Sequence, residues 1–181
     1  MSDGQIASLV LAAVLVFWML GAYNRLVRMR NAVGRAWAAC ESPLQQRAGA
    51  TASLLEALRE PLAAEAPTLQ AVSAAQAHLE QATRSLKASP VSADAAAEFS
   101  VAMAALEAGL ARLVSLCEHA SALQERAEIR QALASLQEAR VGLSFGRELY
   151  NAAVATYNKA LAESPTRLLV GLYRFGPAGR I

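Results

Sequence analysis

The chain has 181 residues, a formal net charge of +2, 55% hydrophobic residues and only two cysteines. The two cysteines, Cys40 and Cys117, sit on helical apolar faces and indicate no disulfide framework, and the mild positive charge without a basic-aromatic motif fits an anionic membrane surface better than nucleic acid. With 6 Pro and 10 Gly, abundant Ala and no strand-length alternation of β-branched with polar residues, the composition predicts an all-α protein.

The first element is an uncharged apolar run over residues 6–22, IASLVLAAVLVFWMLGA. It meets the lower limit of ~17 residues for a helix crossing a ~30 Å hydrocarbon core, and Tyr23 suits the headgroup layer beyond it. A cleaved signal peptide needs a basic start and a small-residue cleavage site. Here only Asp3 is charged before the run, and Gly21-Ala22-Tyr23 offers no clean site. The run therefore reads as an uncleaved transmembrane helix. Arg25, Arg28, Arg30 and Arg35 follow it and no Lys or Arg precedes it, which predicts a single pass with the N-terminus outside and the rest in the cytoplasm.

No breaker separates this run from the next stretch, so one helix is predicted from about Gln5 to about Gln46. Its stripe is Tyr23, Val27, Arg30, Val33, Trp37, Cys40 and Leu44. Pro43 is a place for a bend, and Gly49 and Thr51 suggest a break. Leu54 to Leu86 form a second unit, interrupted at Pro61 and Pro67 and ending near Lys87. Residues 88–92 are a loop, with Ser89 or Ser92 able to cap the next helix. That third helix carries Phe99, Met103, Leu106, Leu110, Leu113 and Cys117 as a heptad-like seam. After a turn near residues 120–122, a fourth runs from about Gln124 to Ala162. Its predicted seam is Ile129, Leu133, Leu136, Arg140, Leu143, Arg147, Tyr150, Val154, Tyr157 and Leu161. Residues 167–175, RLLVGLYRF, form an apolar tail with basic edges.

Short connections predict an up-down-up-down antiparallel four-helix bundle. That topology brings Tyr23-Asn24 towards Tyr157-Asn158, Arg30-Asn31 towards Tyr150-Asn151, and Trp37 into a groove at Gly142 and Gly146. The polar seam residues Tyr23, Asn24, Arg30, Asn31, Trp37, Arg147, Tyr150, Asn151, Tyr157 and Asn158 are the candidate site. Asn and Tyr side chains on opposing helices are expected to bond each other, with Glu138 and Glu148 as counter-charges. Such a network fixes helix register or forms a polar pocket for a partner. On this reading Asn24→Leu and Asn151→Leu both alter stability.

Tyr23-Asn24-x-Leu26-Val27-x-x-Arg30-Asn31-x-Val33-x-x-Ala36-Trp37, then Leu44-x-x-Arg47, resembles the N-terminal signature of the LemA family. Arg147-x-x-Tyr150-Asn151-x-x-Val154-x-x-Tyr157-Asn158 is similar to its C-terminal signature. The resemblance implies a bacterial membrane protein with one N-terminal anchor and a long-helix bundle, and it supplies no active site. The sequence departs from the family where a Leu-Ile-Pro-Asn-Leu run would follow Arg47, at Gly146 where the family has Ala, and at Arg140 where Glu is frequent.

The chain thus divides into an extracytoplasmic tail (1–5), a transmembrane helix (6–22), a LemA-like bundle (23–163) and an amphipathic membrane-proximal tail (164–181). No nucleotide loop, zincin or nucleophile-elbow motif is present. Cys117 and His119, two apart on a helix, face different ways, and His78 and Cys40 complete no obvious metal set. The expectation is a non-enzymatic scaffold or adaptor without cofactor. Its partners would be the lipid bilayer and another membrane protein, or further copies of itself. The alternatives are a bundle that shapes the membrane or senses anionic lipid, and, behind it, a ligand receptor or enzyme using the Tyr-Asn seam.

Overall fold

The computed structural model describes residues 3–163 and 175–181. Among them there are helices and no strand: α1 (Asp3–Leu58), a 3-10 turn (Ala63–Glu65), α2 (Ala66–Ala88), α3 (Ala93–Glu118), the single turn α4 (Ser121–Gln124) and α5 (Ala127–Ala162). The predicted membrane-proximal tail over 164–181 lies outside the described residues up to position 174.

α1 spans 56 residues without interruption, ~84 Å at 1.5 Å per residue. It passes through Pro43, Gly49 and Thr51, so the break predicted near Gly49 and Thr51 does not occur. Packing overrides local propensity here. From Val33 onwards a buried stripe advances by four and three, Val33, Trp37, Cys40, Leu44, Arg47, Thr51, Leu54 and Leu58, with Ala50 buried beside it. Nearer the N-terminus the buried residue is Leu26, and Arg30, predicted on the stripe, is exposed.

α1 and α5 form one antiparallel pair and α2 and α3 another. Ser92 Oγ accepts from Ala95 N at 3.2 Å, which settles the cap of α3 in favour of Ser92. The α2–α3 turn sits against α1 at Gly34, whose missing Cβ would lie 3.8 Å from Pro90. Lys87 pairs with Glu41 at 3.0 Å just above it. The α1–α5 pair runs on past this turn as far as the Arg25–Glu163 pair at 3.1 Å.

The register of α1 on α5 is set by small residues. Pro43 has no N–H, so the carbonyl of Ala39 loses its helical bond. That carbonyl faces Gly146, where a Cβ would come within 2.9 Å of it and of Cys40 Sγ. One turn back, Gly142 takes the Pro43 ring, 3.0 Å from where a Cβ would be. The two glycines therefore receive the α1 backbone and a proline, and Trp37 does not fill their groove. Trp37 lies about one heptad further along α5, edge-on to Tyr150 at 5.9 Å and to Phe99 of α3 at 5.3 Å. The α5 seam likewise runs through Ala132, Ala139, Gly146 and Ala160 as well as Leu143, Tyr150, Val154, Tyr157 and Leu161. Arg140 is exposed and Arg147 half-buried, one position off the seam predicted for them.

By length and composition both α1 and α3 could cross a membrane. They differ in burial. Phe99, Met103, Leu106, Leu110, Leu113 and Cys117 of α3 are core residues. Among the described residues none of the most apolar window of α1 is buried, and Leu11, Phe17 and Trp18 are 62%, 75% and 45% exposed.

Candidate functional site

Residues 175–181, Phe-Gly-Pro-Ala-Gly-Arg-Ile, lie along α5 in the wedge below the α2–α3 turn. Asn158 holds Ala178 at both polar groups. Its Nδ2 donates to Ala178 O at 2.9 Å and its Oδ1 accepts from Ala178 N at 2.8 Å. Asn151 holds Ile181 in the same way, at 2.7 and 3.0 Å. A carboxamide presents one acceptor and one donor side by side, so each Asn substitutes for a neighbouring strand. The spacing fits: one heptad of α5 rises ~10.5 Å, and three residues of nearly extended chain cover ~10 Å.

Tyrosines complete the slot. Tyr157 OH donates to Gly176 O at 3.1 Å. Tyr150 OH lies 2.7 Å from Pro90 O and 3.2 Å from Gly179 O, bridging the α2–α3 turn and the segment. Tyr23 of α1 meets the Phe175 ring at 5.9 Å. On the opposite wall the start of α3 comes so close that a Cβ on Gly179 would sit 2.7 Å from Ala96 Cβ and 2.9 Å from Ala93 Cα. Ala178 and Ile181 are buried, while Pro177 and Arg180 face solvent. Beyond Ile181 a hollow of about 100 Å³ is lined by Phe99, Met103, Glu107 and Arg147.

Burial pushes the Tyr150 hydroxyl up to about 12 and raises that of Tyr157, where the charge of Arg30 opposes the shift. Both hydroxyls are therefore protonated donors at neutral pH. Burial also pushes the Cys40 thiol up to about 11, against a weaker pull from Arg147, so it is a poor nucleophile.

The structure thus gathers five of the ten predicted residues, Tyr23, Tyr150, Asn151, Tyr157 and Asn158, on one segment. Trp37 supports Tyr150 from beneath, and Arg147 stands at the far end of the slot. Asn24, Arg30 and Asn31 are exposed on α1. The expected bonding between Asn and Tyr on opposing helices is replaced, for the α5 residues, by bonding to backbone. Glu138 accepts from Gln46 at 3.1 Å rather than from an arginine of α5.

A second polar feature was missed as a seam residue. Arg47 is 5% exposed, and its Nη1 reaches Met103 Sδ at 2.7 Å and Glu107 Oε1 at 3.5 Å. Burial pulls its pKa down, the Glu107 carboxylate resists, and Arg140 adds a repulsive charge. The signal was its place three residues after Leu44 on the stripe. Arg47 and Arg140 line a cleft of about 540 Å³ walled by Leu110, Val114, Leu133 and Leu136. Among the described residues no cluster of three or more His, Cys, Asp or Glu is placed to hold a metal ion.

The family model described as LemA family matches residues 36–180. The chain belongs to the LemA family. None of the curated proteins matches it. The LemA match begins one residue before Trp37, leaving the apolar run outside, and extends through the docked segment to Arg180. The Tyr-Asn pairs of α5 and the segment they hold up to Arg180 are thus both within the LemA region.

Proposed function

We propose that this LemA protein is a single-pass membrane protein of the bacterial cytoplasmic membrane. On this reading residues 6–22 span the bilayer, the N-terminus is outside, and residues 23–163 form a cytoplasmic four-helix bundle. The unpacked sleeve from Leu9 to Leu20 supports the anchor, because such an apolar surface is not sustained in water. An arginine collar, with Arg28, Arg30 and Arg35 exposed, supports the orientation. A cysteine placed at position 3 should react with a membrane-impermeant maleimide in intact cells, and one at position 28 only after lysis; the reverse pattern overturns the orientation.

The function we infer is that of a non-catalytic scaffold or adaptor for another membrane protein. One observation carries it. Val141, Phe145 and Leu149 of α5 are 64%, 61% and 41% exposed at four-residue steps, an apolar stripe on the outer face of an otherwise amphipathic helix. Helices of a partner dock on such stripes through anchors at this spacing. A photocrosslinker at Phe145 should capture one defined membrane protein, and the same probe at exposed Arg130 should not. Repeated capture of nothing at position 145 defeats the adaptor reading.

A further inference from the structure

We propose that the Tyr-Asn face of α5, walled by the start of α3, is a peptide-binding slot for an extended segment bearing a small residue followed by glycine and, two further on, an apolar anchor, and that residues 175–181 are its ligand in cis. Three independent features make it a reading site rather than a packing contact. Asn151 and Asn158 each engage both backbone groups of one residue, so affinity comes from main chain and does not depend on side-chain identity. Selection is steric: Gly179 lies against the α3 backbone, where no side chain fits, and Ala178 is buried. Ile181 is the apolar anchor, buried beside the hollow lined by Phe99 and Met103. Positions 176, 177 and 180 are read only through their backbone or not at all. A Cβ on Gly176 meets nothing within 4 Å, and Pro177 and Arg180 are exposed.

The slot deepens the adaptor reading by naming what is gripped, a segment of this pattern on another chain that displaces the chain's own. It rests on the docked segment and not on the anchor or the outer stripe, so the tests fail separately. A ligand tethered in cis has an effective concentration of the order of mM. A free peptide at micromolar concentration therefore should not bind the wild-type chain until the cis segment is dislodged.

The test uses the full chain in detergent and a fluorescent peptide of sequence Phe-Gly-Pro-Ala-Gly-Arg-Ile, read by anisotropy. Gly179→Val should dislodge the cis segment, seen as loss of amide-exchange protection at Ala178 and Ile181. It should then bind the free peptide at least 10-fold more tightly than wild type. Gly176→Ala should behave as wild type. Adding Asn151→Leu or Asn158→Leu to Gly179→Val should lower peptide affinity at least 10-fold, and a peptide with Val at the position of Gly179 should not bind. The tail substitution leaves the helices untouched, so folding is preserved. A Gly179→Val chain that has lost protection at both amides yet binds no peptide overturns the proposal. So does binding that survives loss of both asparagines.

Discussion

Two stretches of the same helix pair solve the problem of buried polar groups differently. Around Trp37 and Tyr150, the polar side chains of α5 are matched donor for acceptor to a strand-like segment, although Trp37 Nε1 of α1 is buried without a partner among the described residues. Around Arg47 and Thr51, Arg47 has one half-exposed carboxylate partner, Thr51 Oγ1 is buried without a partner among the described residues, and a cleft opens alongside. The buried stripe of α1 runs through both. What differs is the third body: residues 175–181 wedge into the first stretch, and nothing described fills the second. The polar residues of α5 find their partners where backbone is supplied to them.

The sharpest way to break the first stretch is to move α1 off α5. Gly146→Leu puts carbon against the Ala39 carbonyl, which belongs to backbone and cannot yield, and should cost ~2–3 kcal/mol in thermal or denaturant unfolding. A loss under ~0.5 kcal/mol would mean the helices are not seated as described. Next, Asn151→Leu and Asn158→Leu each strand two backbone groups and should cost ~1–3 kcal/mol. Asn24→Leu and Asn31→Leu, exposed on α1, should stay within ~0.5 kcal/mol. The expectation from sequence that Asn24 and Asn151 matter alike is thereby corrected, and equal losses at both would restore it.

The second stretch should respond to charge. Glu107→Gln leaves the buried Arg47 guanidinium without its carboxylate and should lower stability by ~1 kcal/mol, Glu107 being half-exposed. Arg47→Met should be neutral or stabilising, since an apolar side chain of similar reach replaces a desolvated charge. A large loss on Arg47→Met would show that the charge itself holds α1 to α3. A pH titration separates the stretches further. The Tyr150 hydroxyl is raised in the folded state to about 12, above an unfolded value near 10. Its stabilisation is complete below pH 10 and is lost as pH rises towards 12. Amide protection at Ile181 should fall over that window, and Tyr150→Phe should remove the step. A modest gain is expected at Gly49, where a Cβ meets nothing: Gly49→Ala should stabilise α1 by ~0.5–1 kcal/mol.

Much of this was legible in the residues. The apolar run, the helical periods and the antiparallel return of the last helix onto the first come from spacing and turn residues alone, while the choice of Ser92 over Ser89 as the cap of α3 came from the structure. The importance of Tyr150-Asn151 and Tyr157-Asn158 was legible too, because polar groups one heptad apart on an apolar seam demand partners. Their partner was not. Nothing local in Phe-Gly-Pro-Ala-Gly-Arg-Ile announces a ligand. Its fitness lies in matching a rise along α5 and a clearance from α3 that exist only after folding. The register failed for a related reason. Most of the bulky residues of the α5 seam are buried as expected, but Arg140 and Arg147 are not on it, and α1 meets α5 through Gly142 and Gly146.

The sequence by itself determined that the chain is helical, where the last helix starts and stops to within a few residues, and that its N-terminal run is long and apolar enough to cross a bilayer; it ended α1 near Gln46, whereas α1 runs to Leu58. These depend on periodicity and propensity, which act over one to four residues. Only the tertiary structure decided which carbonyl of α1 faces which glycine of α5, and that the asparagines read a backbone instead of each other. Those outcomes depend on close approach between segments distant in sequence, and the residues that permit close approach are the ones with the least side chain to signal it.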